Sequence, residues 1–119
     1  MLIGKYIIFT LVAILALGLT ITASASDVET LLNDGKTAIE SGKYEEAVNR
    51  LGELMTASGD KTNDPKIVAF GSTVQAYGVW KTNDPQMIPM VIRYLNKAID
   101  ADPSWEYPRK LLKEVEGKN

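Results

Sequence analysis

Three stretches of this chain carry residue types that could do chemistry: Glu45-Glu46, the twice-written KTNDP at 61–65 and 81–85, and Trp80 with Met87, Pro89 and Met90. Paired carboxylates cleave a bond only when they converge on it. Neighbours on a helix point about 100° apart, so Glu45 and Glu46 diverge. The chain has no histidine and no cysteine. The commonest general base and metal ligand are therefore missing. Disulfides, a lipid-modified cysteine, thiol catalysis and sulfur-ligated metals are excluded as well, and no Ser or Thr has an imidazole to activate it. No glycine-rich phosphate loop or calcium-loop spacing occurs. The sequence thus predicts no enzyme, no cofactor and no metal.

Binding is the chemistry left. The 13 Lys+Arg against 15 Asp+Glu give a net charge of -2 without blocks of one sign, so nucleic acid is not an expected partner. Tryptophan is enriched at interfaces because it buries a large ring while keeping an N–H available. Trp80 beside the adaptable side chains Met87 and Met90 is accordingly a candidate protein-binding patch. The competing role for Trp80 is packing under the loop that follows it, and Trp105 reads as core.

KTNDP can be a duplicated recognition motif or the start of a helix. Asp is a preferred N-cap, because its carboxylate accepts free backbone N–H groups of the first turn. Pro suits the next position, where its missing N–H costs nothing. Asp64-Pro65 and Asp84-Pro85 each precede an apolar stripe, so both copies are expected to open helices. Asp102-Pro103 ends one helix and leads to the next.

The elements that must position these residues follow from apolar spacing. Tyr44, Ala47, Val48, Leu51, Leu54 and Met55 repeat the steps of Ile88, Val91, Ile92, Leu95, Ala98 and Ile99. Such steps place six side chains on one stripe of an α-helix. Each of these helices is preceded by another. Leu31, Leu32, Gly35, Ala38 and Ile39 form a stripe over about 27–41, and Ile67, Phe70, Gly71, Val74 and Tyr77 form one over about 65–80. A short closing helix over about 104–116 carries Leu111, Leu112 and Val115. The predicted fold is all-α: two antiparallel helix hairpins and a C-terminal closing helix, in a domain spanning 26–119.

Before that domain stands an apolar stretch. Tyr6 to Ala25 holds no charge, Lys5 precedes it, and Ala23-Ser24-Ala25 offers small residues to a peptidase. This pattern predicts a secretory signal peptide over 1–25, cleaved before Ser26. A retained anchor competes with it, since twenty helical residues rise roughly 30 Å, the thickness of a bilayer's hydrocarbon core. Residues 6–25 would then associate with the membrane. Both readings place the domain outside the cytoplasm, at the cell envelope.

"GKTAIESGKYEEAVNRLGEL" resembles the core of a tetratricopeptide repeat (TPR), with Gly35, Gly42, Tyr44, Ala47 and Leu51 in the positions that family fills with small, aromatic and large apolar residues. Phe70-Gly71, Gly78 and "YLNKAIDADP" resemble a second repeat, split by about eight extra residues around 79–86, with Val91 where a small residue is usual. "DPSWEYPRKLLKEVEG" is similar to the solvating helix that closes such arrays. The resemblance implies that Gly35 and Ala47 mark a close crossing of the first two helices. It further implies an adaptor that binds protein in a groove lined by Lys36, Ile39, Glu40, Ser72, Gln75 and Ala76, with Tyr107, Lys110 and Glu114 behind them. A solvated helix face is the competing role for the polar members. Leu32 and Lys36 occupy the positions where some family members clamp a C-terminal carboxylate, so that mode is not expected. Two repeats are fewer than the three that usually stand alone, which makes a protein partner or self-association a further expectation. The alternative function is a single-span accessory subunit of a membrane complex, with residues 1–25 retained.

Overall fold

The computed structural model describes residues 25–117, which are all-helical; no strand occurs among them. Five α-helices follow in order: α1 (Ala25–Glu40), α2 (Tyr44–Ser58), α3 (Pro65–Trp80), α4 (Ile88–Ala101) and α5 (Tyr107–Gly117). Single 3₁₀ turns, Gly59–Asn63 and Pro85–Met87, precede α3 and α4. The expected apolar N-terminal helix lies outside the described residues, as does its cleavage or retention. Among the described residues no helix is long and apolar enough to cross a membrane. The helices α1 and α2 form one antiparallel hairpin, α3 and α4 form the second, and α5 packs on α4. The helix α3 also meets both members of the first pair.

Each boundary has a local cause. Gly42 ends α1 in the left-handed region at φ 78°. There its N–H bonds Ile39 O at 3.1 Å while Lys43 N–H bonds Ala38 O at 2.9 Å. This is the Schellman closure, which satisfies two carbonyls the helix end would leave bare. Asp64 caps α3, its carboxylate accepting from Lys66 N–H at 2.9 Å, with Pro65 at the first helical position. Asp84 accepts from Gln86 N–H at 3.0 Å, yet what it caps is the 3₁₀ turn. The helix α4 begins later, at Ile88, and has no side-chain cap of its own. The second KTNDP thus opens a turn before the helix, and its Asn83 takes a left-handed φ of 59° to stop α3.

The core sits between the two pairs and under α5. Phe70, Ile39, Leu54, Leu95, Val91 and Val115 are among its largest fully buried side chains. The helix α3 is central: Ala69, Ser72, Thr73 and Ala76 are buried besides Ile67, Phe70, Val74 and Tyr77. An element covered on nearly all sides has no polar face to show. Thr73 meets this burial by donating its hydroxyl hydrogen to Ala69 O at 2.8 Å.

The glycine contacts add the second pair to the surroundings of the expected crossing. A Cβ added to Gly35 would lie 2.8 Å from Phe70 Cε2, inside the ring's contact surface. Gly35 therefore receives a ring from α3, in the other pair. Gly78 in α3 receives Tyr44 of α2 in return, an added Cβ falling 2.8 Å from Tyr44 Cζ. Tyr44 also stacks on Tyr77, with ring centroids 5.8 Å apart.

Candidate functional site

The groove-facing residues separate into two groups. Ile39 is fully buried, and Ser72 and Ala76 are also buried. All three point inward between the pairs, so none lies on a partner-facing surface. The reason is the central position of α3, which covers Ile39 from one side and leaves its own Ser72 and Ala76 no exposure. Glu40 and Gln75 are exposed. Lys36 is half-buried and engaged: its Nζ stands 3.5 Å from Asp102 Oδ2 and 4.9 Å from the centroid of the Trp105 ring.

Lys36 thereby ties α1 to the turn between α4 and α5. That turn is built around Asp102, whose Oδ1 accepts the Ser104 hydroxyl at 2.6 Å. Oδ2 is buried and pairs with Lys36 by charge, without hydrogen-bond geometry. The Ser104 hydroxyl is the main cause that holds the Asp102 carboxyl below the usual aspartate range, burial opposes it, and Lys36 adds to the lowering. A carboxylate that accepts hydrogen bonds in its charged form resists protonation.

Trp105, buried in the same turn, lies 6.5 Å from Phe70 and 6.0 Å from Tyr107 between ring centroids. Its indole N–H reaches Glu40 Oε2 at 3.4 Å, so a residue expected as core also orients a carboxylate on α1. Above this aromatic floor opens a cleft of about 330 Å³ between α1 and α5, lined by Glu40, Tyr107, Lys110, Leu111 and Glu114. Burial, foremost, pushes the Tyr107 phenol up to about 12, and Tyr77, Glu114 and Glu40 add to the rise. Tyr107 consequently keeps its proton at neutral pH and can donate a hydrogen bond. The cleft offers a phenol donor, two carboxylate acceptors, an ammonium and an apolar wall, a set suited to holding a peptide.

Of the second candidate patch, Trp80 is half-buried against the core and lies beneath Lys81, whose Nζ is 5.3 Å from its ring centroid. Met87 is half-buried and Met90 is exposed. Trp80 thus packs on the core cluster while keeping part of its ring at the surface. The sequence marked Asp102-Pro103 as a helix end but not the Ser104 and Lys36 partners of its carboxylate; a Ser two residues after an Asp at a helix end was the available signal. Among the described residues no group of three or more His, Cys, Asp or Glu could hold a metal ion. No family model matches the chain, and no curated protein or solved structure matches it.

Proposed function

We propose that the chain is a TPR-like adaptor of the cell envelope, working outside the cytoplasm, that holds a protein segment in the cleft between α1 and α5. The observation that carries this reading is the convergence of Glu40 with Tyr107, Lys110, Leu111 and Glu114, from the first and last of the five described helices, around one open cleft. Clefts with an apolar wall and a few convergent polar groups are the usual form of a binding site. The helical hairpins and the TPR-like spacing of Gly35, Gly42, Tyr44, Ala47 and Leu51 support the adaptor class.

A photoactivatable cross-linker placed at Glu40 or Glu114 in the producing cell tests it. A discrete cross-linked partner is expected from these positions and not from exposed Asn96 on α4. Equal labelling from all three positions would remove the cleft as the binding site. The uncharged run 6–25 supports a second reading, a single-span accessory subunit of a membrane complex. Intact mass of the native protein separates the two. A chain beginning at Ser26 supports the cleaved adaptor, and a detergent-extracted chain retaining residues 1–25 supports the membrane subunit.

A further inference from the structure

The outer side of α5 carries a second cleft, of about 480 Å³, lined by Pro103, Ser104, Glu106, Arg109, Lys110 and Lys113. Arg109 and Lys113 stand four residues apart, and Lys110 three from Lys113, so the three cations share one helix face. In a chain of net charge -2 this is a local reversal of sign. The ion pairs of the described residues are Lys36–Asp102 and Arg50–Glu53, so none of the three cations is neutralised by one. An Arg109 Nη donates to Pro103 O, which holds the guanidinium at the mouth of the cleft.

We propose that this cleft docks an acidic peptide segment, with Arg109, Lys110 and Lys113 receiving its Asp or Glu carboxylates. Charge complementarity sets the sign of the occupant. Glu106 sets its class. A dense polyanion such as nucleic acid would meet that carboxylate at the rim, with Glu114 and Glu116 further along the same helix. A peptide presents single carboxylates for the cations and backbone N–H groups that Glu106 can accept. The site goes beyond the cleft between α1 and α5, although Lys110 lines both.

Fluorescence anisotropy of an oligoglutamate peptide titrated with the full chain tests the proposal, with oligolysine as the control. Glutamate binding is expected, weakening with added salt and by about tenfold in Kd for the double variant Arg109→Gln/Lys113→Gln. Arg109→Lys, which keeps the charge, is expected to bind as the parent does. Should the double variant melt early, Lys113→Gln alone decides, since its ammonium forms no ion pair among the described residues. Asn96→Gln on α4, exposed and lining neither cleft, is expected to leave oligoglutamate affinity unchanged, and because cross-linking from Glu40 and Glu114 tests the first cleft independently, the two sites fail separately. The proposal is overturned by absence of oligoglutamate binding, by binding indifferent to the double variant, or by equal affinity for oligolysine. It is equally overturned if inorganic phosphate or anionic phospholipid vesicles occupy the cleft and the peptide does not.

Discussion

The two helix pairs carry the same apolar stripe and bury it differently. In α4 the stripe from Ile88 to Ile99 is buried or half-buried throughout. In α2 the matching residues Tyr44, Val48 and Met55 stand 38%, 39% and 46% exposed, and Ala47 and Leu54 are fully buried. Identical spacing therefore fixes which residues share a face, and the neighbours decide how much of that face is covered. The helix α4 lies between α3 and α5, whereas α2 leans on α1 and on the edge of α3. The first pair closes tightly at Gly42; the second needs a left-handed Asn83 and a 3₁₀ turn.

The sharpest test of this contrast uses equivalent leucines. Leu95→Ala should cost about 2–5 kcal/mol, the usual range for a leucine truncated in a sealed core. Leu51→Ala, at the same place in a half-covered stripe, should cost clearly less in urea titrations. Equal losses would mean that the first pair is as sealed as the second. Next in size is Gly35→Leu, which places a branched side chain where the Phe70 ring sits. It should destabilise by about 1–3 kcal/mol and, because the clash lies between pairs, should perturb α3 signals in NMR spectra more than those of α2. An unchanged melting temperature would remove the ring-on-glycine contact from the account.

The two copies of KTNDP provide a smaller contrast. Asp64→Ala should cost about 0.5–2 kcal/mol, the range of a lost helix cap, with Asp64→Asn nearly neutral. Asp84→Ala should fall at or below the low end, because it releases one turn and leaves α4 able to start at Ile88. A partner lost on Lys61→Ala or Lys81→Ala at unchanged stability would restore the motif as a recognition element. The last effect is confined to acid. Asp102 has a folded value depressed below 3.8, so its contribution is complete above the unfolded value and is lost as pH falls through the folded one. Chemical denaturation from neutral pH down to about pH 3 should show Asp102→Asn flattening the acid limb of the wild-type stability curve. An unaltered limb would mean that the Lys36–Asp102–Ser104 network does not tie α1 to the turn.

Much of the fold was legible because its signals are local. The helical steps of α2 and α4, the Asp64-Pro65 start and the break at Gly42 each lie within a few residues of what they determine. What covers Gly35 was not legible. Phe70 is 35 residues away, and its arrival depends on the angle between the pairs, which no short spacing encodes. The same limit explains Ile39 and Ser72. The TPR resemblance assigned both to a groove, although Ile39 also stood on the apolar stripe of α1, and both are core once α3 is known to be central. Of the candidate site, Glu40, Tyr107, Lys110 and Glu114 were reachable through the TPR resemblance, because it supplies an arrangement of helices. The basic trio on α5 was not, since i, i+1, i+4 cations on a surface helix are ordinarily solvated.

The reciprocal placement of Phe70 on Gly35 and Tyr44 on Gly78 has a mechanical meaning. The helix α3 presents a ring at Phe70 and a vacancy at Gly78, about 12 Å apart along its axis. A slide of one helical turn, about 5.4 Å, would bring Phe70 onto Leu31 or Ile39, or Tyr44 onto Val74, all of which carry a Cβ. The joint between the hairpins is thus dowelled twice, once by a ring of α3 set into α1 and once by a ring of α2 set into α3, and both dowels oppose sliding along the helix axis.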